Sequence, residues 1–463
     1  MYMVNHAGRS RRMLLFALLL ASGMFLLAPG GVRHAHAQEA RVITFDEALR
    51  IALDRNVQVQ QSGNNIELSA RDVFQRRMDF LPSFSMSTSG SRGSGFAQDQ
   101  AGRNIQFTSQ NLNGSVSGQI NLFDGFANIA SLRQSQHTLH ASQLAYDQTR
   151  QTVAFDVANN FLFYVNGGQL VVIQQENLES QRQLLTQIEE FVNVGSRPIS
   201  DLYQQQAATA QAELDVLTAE RDAELSKARL IQALQLDPRD EYEFVAPRYE
   251  DIPVVPQDYD LQELFDIAFA SRDDLAAQEA RIRAAQQGIR LAKSVYWPRV
   301  DFGGSYRSNY SPNDPMDRSF ANQLEGNRGN SLGFSISYPL FNNFSRGTQV
   351  QQAEVQYRNA MLEMESLRQN AALQVRQGYL EYEAARKSLE VSETQVLAAE
   401  RALEASQNRY NVGAGTLVEL SQARAQYVTA VSNRVQAQYN FLFQSKLVDF
   451  FVGRLDLSTP LFD

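Results

Sequence analysis

Few residues in this 463-residue chain are placed to do chemistry. His137 and His140 lie three apart, so a helix would set them on one face, as half a metal site. With no cysteine and no third ligand nearby, the pair reads as solvated. Asp273-Asp274 reads as part of a polar helix face rather than an acid–base pair. There is no Gly-x-Ser-x-Gly, no phosphate-cradling glycine loop and no His-Glu-x-x-His. No enzyme activity and no cofactor are expected. Two other sets stand out at corresponding places: Asn193-Val194-Gly195 and Asn411-Val412-Gly413. In each, the glycine suits the left-handed residue that ends a helix. An acid follows near the start of the next helix, Asp201 in one case and Glu419 in the other. Thr416-x-x-Glu419 is a capping box, and Asp201 in a first turn favours the helix dipole.

The elements that would carry these turns come from a duplication. Phe191–Gly195 matches Arg409–Gly413, and Asn121–Phe126 matches Pro339–Phe344, both at an offset of 218. Leu81-Pro82 matches Trp297-Pro298, and Phe45–Glu47 matches Leu261–Glu263, both at 216. Val171, Leu178, Leu185 and Val192 recur at every seventh position, and at the offset of 218 stand Leu389, Val396, Leu403 and Tyr410. A sevenfold apolar period is a coiled-coil seam. Each half reads helix, strand, loop, strand, long helix, tip, helix. The first helix starts at the Thr44-x-x-Glu47 capping box and runs to about Phe80, before Pro82. The proline-free stretch from about Phe126 to Phe191, rich in Ala, Gln, Leu and Glu, predicts a helix roughly 100 Å long at ~1.5 Å per residue. Asn166-Gly167-Gly168 could bend it. The second long helix is expected from about Arg346 to Tyr410.

Four segments of about ten residues alternate apolar and polar. They begin at Ser83, Leu112, Arg299 and Leu332, separated by glycine- and serine-rich stretches at 90–110 and 308–330. That length suits a tilted strand crossing an outer membrane, about 9–11 residues. The apolar face would meet outer-membrane lipid and the Ser/Asn/Gln/Arg face would meet water. Four strands cannot close a barrel, so it must be shared between copies.

Residues 1–37 have the order of a secretory signal peptide: Arg9, Arg11 and Arg12, an apolar run from Met13 to Ala28, and Ala35-His36-Ala37. The apolar run has 16 residues, short of the ~20 a spanning helix needs. The formal charge is −9, and removal of the four arginines of 1–37 leaves −13, which disfavours nucleic acid as a partner. The expected division is then 1–37 leader, 38–237 first repeat, 238–260 proline-rich linker, 261–455 second repeat and 456–463 tail.

The Pro-Leu-Phe-Asn run at Pro339–Asn342, its partner at Asn121–Gly125 and the paired Asn-Val-Gly tips resemble the TolC family of outer-membrane efflux proteins. The resemblance covers essentially the whole mature chain. It implies a homotrimer with a 12-stranded barrel standing on a periplasmic α-barrel of coiled-coil hairpins. The function it implies is an exit duct for efflux or type I secretion. It also implies docking, through the tips, with a periplasmic adaptor (membrane fusion) protein and an inner-membrane pump or ABC transporter. Carried over by position, Asp201 and Tyr410 match a pair that links helices in a closed gate. Glu419 and Gln422 match the constriction, with Gln422 standing where the family has an acid. A locking arginine of the family is Gly415 here, which implies a looser lock. The rival readings are an exported trimeric adhesive coiled coil without flux, an adaptor with a single hairpin, and a barrel hydrolase.

Overall fold

The computed structural model describes residues 41–98, 102–245 and 256–455. The leader at 1–37 and the tail at 456–463 lie outside these residues, as do 246–255 of the linker.

The described residues open with strand β1 (Arg41–Thr44) and helices α1 (Phe45–Arg55) and α2 (Val57–Met78). Thr44 caps α1 by accepting from the Glu47 amide at 3.3 Å. The single helix expected from Thr44 to Phe80 is in fact two. Asn56 breaks it, and its side chain accepts from the Gln58 amide at 2.8 Å, so the break is also a start. Strands β2 (Ser83–Gln98) and β3 (Asn104–Phe123) follow. Next come α3 (Ala127–Asn193), α4 (Ile199–Ala233) and β4 (Tyr242–Val245), which pairs in parallel with β1.

The second half repeats the plan with α5 (Leu261–Ser271), α6 (Asp273–Ser294), β5 (Arg299–Tyr310), a short α7 (Phe320–Gly326) and β6 (Gly329–Ser337). It ends with α8 (Ser345–Asn411) and α9 (Leu417–Phe451). Helices α8 and α9 begin and end at the offset of 218 from α3 and α4. Helices α5 and α6 begin and end at the offset of 216 from α1 and α2. The helix break recurs too, at Arg272. The two long helices have 67 residues each and are continuous, so Asn166-Gly167-Gly168 does not interrupt α3. At Gly167 a Cβ would lie 3.2 Å from the Ala223 backbone, which is what that glycine serves.

Strand order is β2-β3-β5-β6, antiparallel throughout, with β2 and β6 at the edges. β2 and β3 run 16 and 20 residues, longer than the expected ten. The Ser/Gly-rich stretch at 90–110, expected as loop, is mostly ladder. It has no apolar alternation to mark it, and outside lipid it needs none, because the partner strand satisfies its backbone. The register gathers one face from Ser85, Ser117, Ser305 and Ser331, aligned across all four strands. Hydroxyl pairs Ser85–Ser117 and Ser305–Ser331 meet at 2.8 and 2.9 Å. The other face carries Phe84, Met86, Leu332, Phe334 and Ile336, each more than 70 % exposed. On it Phe84 lies over Gly118 and Leu332 over Gly304, where a Cβ would sit 2.8 and 2.5 Å from the covering side chain.

Two hydrophobic clusters lie midway along the long helices; the first reaches across to Phe443 and Leu447 of the second half, and the second lies within the second half. One joins Ile43, Phe45, Val157, Phe161, Leu230 and Phe244. The other joins Leu264, Val375, Tyr382, Phe441 and Val448. Arg272, buried at the α5–α6 break, donates to the Phe451 carbonyl at 3.1 Å and to Asp274 at 2.6 Å, tying the end of α9 to α6.

Asp273, beside it, accepts from Gln151 on α3 at 3.1 Å. Burial, then the nearby Asp147 and Asp274 carboxylates, push its carboxyl above the ordinary range. A raised carboxyl binds its proton more tightly in the folded state. Its stabilising contribution is complete below the ordinary carboxylate range and is lost as pH rises through the raised value. Asp273→Asn, which cannot ionise, should therefore raise the thermal unfolding midpoint at pH 7. The gain should shrink to nothing as the melts are repeated down to about pH 4. An equal gain at every pH would count against this account.

Candidate functional site: the paired hairpin tips

The far ends of the long helices turn back on the expected glycines. The Gly195 amide donates to the Val192 carbonyl at 3.0 Å and the Ser196 amide to Phe191 at 2.8 Å. The Gly413 amide donates to Tyr410 at 3.0 Å and the Ala414 amide to Arg409 at 2.8 Å. These are Schellman-type closures. Both glycines have φ in the left-handed region (69° and 77°), and nothing lies within 4 Å of the Cβ each lacks. The backbone conformation, not space, asks for glycine here. Asn193 and Asn411 are exposed, and Val194 and Val412 form the apices at 78 % and 80 % exposure.

The two tips meet around Tyr410, whose side chain is fully buried. Its ring packs with Leu184, Ile188, Leu417 and Leu420, a cluster drawn from α3, α8 and α9. The heptad seam accounts for Val192, Leu403 and Tyr410 here. Leu184 and Ile188 lie on the same stripe but outside the strict sevens. Polar contacts finish the junction. Arg197, from the first tip loop, lies with its guanidinium 4.3 Å from the Tyr410 ring centre and donates to the Tyr410 carbonyl. The Tyr410 hydroxyl donates to Asp201 at 3.4 Å. Burial, and then the Asp201 charge, hold this phenol above its ordinary value, while Arg197 opposes them. Asp201 and Tyr410 are thus brought together.

Glu419 and Gln422 are exposed on the first two turns of α9. The Glu419 amide is capped by Thr416 at 3.2 Å, and its carboxylate pairs with Arg409 at 3.2 Å. Glu419 is therefore part of the second tip, apart from the Tyr410 junction. At Gly415 a Cβ would lie 3.1 Å from that of Arg409, so a larger side chain there would press on the cation that holds Glu419.

Sequence pattern alone does not single out the roles of Arg197, Arg409 and Arg424. Arg424 reaches from α9 to the Ser180 hydroxyl on α3, and its buried Nε has no partner among the described residues. Burial lowers its pKa. A signal for Arg197 is present in the repeat. It occupies the place in the first repeat that matches Gly415 in the second, where the resemblance implies an arginine. Elsewhere, His137 on α3 faces Arg283 and His140, and burial first, then those charges, lower its pKa.

The matching family model is that of the outer membrane efflux proteins, over residues 48–235 and 264–449. The chain belongs to this family. Among curated proteins it is similar to the outer membrane protein TolC of Escherichia coli, with 23 % identity over 409 residues, covering 87 % of this chain and 80 % of that protein. It is also similar to the outer membrane efflux protein BepC of Brucella suis, with 20 % identity over 420 residues, covering 90 % and 87 %. Among solved structures, the CmeC outer membrane channel of Campylobacter jejuni superposes with a TM-score of 0.76 at 16 % identity, covering 90 % of this chain and 87 % of that one. VceC of Vibrio cholerae gives 0.73 at 16 %, covering 88 % and 96 %. This efflux protein is an outer-membrane exit duct, with its sheet in a shared β-barrel and its long helices in a coiled-coil α-barrel. Its family is one of channels. The adhesive-anchor alternative gains no support from relatives named as efflux proteins and channels.

The Tyr410 junction yields a graded expectation. Tyr410→Phe removes one hydrogen bond, a loss of about 1 kcal/mol. Arg197→Ala removes both the carbonyl bond and the cation–π contact, the latter alone worth about 0.5–2 kcal/mol. Amide exchange at the tip ends of α3 and α8 should quicken in both variants, and more in Arg197→Ala. Equal exchange in both would place the strength of the junction in its apolar packing instead.

Proposed function

We propose that the protein works as a homotrimer of twelve strands and six hairpins, a passive conduit gated at its periplasmic tips. The observation that carries this reading is the burial of Tyr410 between Arg197 and Asp201, which ties the two hairpins of one chain at their ends. Opening the end of the duct requires the hairpins to separate, and separation breaks this junction first. Glu419 and Gln422 form the constriction. A three-fold set of Glu419 carboxylates favours cations and repels anions. Arg409 at 3.2 Å neutralises part of that charge in the closed tip, and Gln422 adds none. The ring is therefore weak.

The apices dock the periplasmic adaptor. Val194 and Val412 stand exposed on rigid, glycine-closed turns, flanked by Asn193 and Asn411, which supports knob-like contacts on a preformed surface. Through the adaptor the duct joins an inner-membrane pump or ABC transporter. Substrates then arrive from these partners, and no residue of the duct acts on them chemically.

Purified protein in a planar bilayer tests the gate. The parent should show a small, cation-preferring conductance. Asp201→Ala combined with Tyr410→Phe should enlarge it, and Glu419→Gln should reduce the cation preference with little change in size. No conductance from correctly inserted oligomers, in parent and variants alike, would remove the conduit; unchanged conductance in the double variant would move the gate away from Tyr410.

A further inference from the structure

The sheet of one chain has β2 and β6 at its open edges. The sequence repeat also governs strand pairing within the chain. Hairpin β2–β3 pairs Ser83 with Gln119 and Ser85 with Ser117. Moving the β2 positions forward by 216 and the β3 positions by 218 turns these pairs into Arg299 with Ser337 and Asp301 with Ser335. Those are pairs of hairpin β5–β6. The offsets that relate the sequences therefore relate the strand registers without slip. One junction remains without a copy inside the chain. β3 pairs with β5, joining the halves, with Gln119 opposite Gly303 and Ser117 opposite Ser305. Its counterpart is β6 against β2 of another molecule.

We infer that neighbouring copies close the barrel by antiparallel pairing of β6 with β2, in the register that sets Ser337 opposite Ser87 and Ser335 opposite Ser89. This rests on the trimeric reading for the number of copies, but the register does not depend on that number. Three features of the chain agree with it. The pairing keeps Ser335, Ser337, Ser87 and Ser89 all on the serine face that the in-chain ladders already define, so the water-facing surface continues around the barrel. A slip of one residue would turn β6's Leu332, Phe334 and Ile336 against the polar side. On the lipid face the register sets Phe334 opposite Gly90, repeating the large-over-glycine pairs Phe84–Gly118 and Leu332–Gly304. A slip of two loses that match. The same edge of the molecule is also incomplete by itself. Arg346, in the first turn of α8 below β6, is buried, and its Nε and one terminal nitrogen have no hydrogen-bond partner among the described residues.

The chain contains no cysteine, so paired cysteines report the register directly. Opposed residues on antiparallel strands have Cα atoms about 4.5–5.5 Å apart, within disulfide reach. A shift of two residues along one strand separates them to about 8 Å, beyond it. Full-length S335C/S89C and, independently, S337C/S87C are oxidised in outer membranes and run on a non-reducing gel. Both pairs should give covalent oligomers that dithiothreitol reverses. S335C/S87C, S335C/S91C and each single variant should stay monomeric. Crosslinking by the offset pairs in place of the opposed ones would overturn the register. The largest covalent species reads the copy number separately. A ladder ending at a size other than three chains, formed by the opposed pairs, would overturn the trimer and leave the register standing.

Discussion

Everything in this molecule answers to one constraint, that a backbone inside lipid must satisfy its own hydrogen bonds. Four strands with two free edges cannot do so alone. The sheet is therefore one sector of a closed barrel. The helices inherit the arrangement, because α2, α3, α6 and α8 leave the barrel in the order of the strands they adjoin. The left-handed residues at Gly125-Phe126 and Asn343-Phe344 mark where each strand gives way to its long helix. At Gly125 the turn is also tight, since a Cβ would come within 2.4 Å of the Ser294 carbonyl. Its counterpart Asn343 adopts the same left-handed conformation while carrying a side chain.

Below the barrel no such constraint holds, and stability comes from packing. Helices of 67 residues are not stable alone, and these are held at a middle level and at the tips. The middle level is large and aromatic, with Phe45, Phe161, Tyr164 and Phe244 in edge-to-face contact. The tip level is small, and its one large buried ring is Tyr410. A small core finished by polar contacts is the arrangement that a modest free energy can open. Arg197 and Asp201 give the tip specificity of approach at low cost, because each keeps partial access to solvent.

The duplication, the strand faces and the glycine-closed tips are legible in the sequence because each rests on local pattern: a fixed offset, a period of two, a residue with φ above zero. Asn56 and Arg272 escape notice as helix breaks because apolar periodicity continues across them; Asn56 shows itself by its cap and Arg272 only by its extended backbone. The length of β2 and β3 escapes it because a strand in water carries no apolar mark. At the tip, resemblance finds Asp201 and Tyr410 but not Arg197. Here the cation stands at the matching position of the other tip loop, and only the fold brings that loop to Tyr410.

That placement bears on how the six hairpins of the proposed trimer would behave in a ring. Were the two repeats identical, every junction between neighbouring hairpins would be alike, and no one of them could yield before the others. The repeats differ at the three positions that matter. Arg197 corresponds to Gly415, Asp201 to Glu419, and Tyr410 to Val192. Within a chain the junction joins a cation, an acid and a buried phenol. Between chains, the repeat would set Gly415 and Glu419 against Val192, with no ring to stack on, no hydroxyl to donate and no arginine. Glu419 turns instead to Arg409 of its own chain. In the trimer proposed above, junctions of two strengths would then alternate around the ring, with the hairpins of one chain held together more firmly than those of adjoining chains. In that trimer, divergence after duplication would give a nearly six-fold framework the three-fold mechanics that a gate of three identical leaves requires.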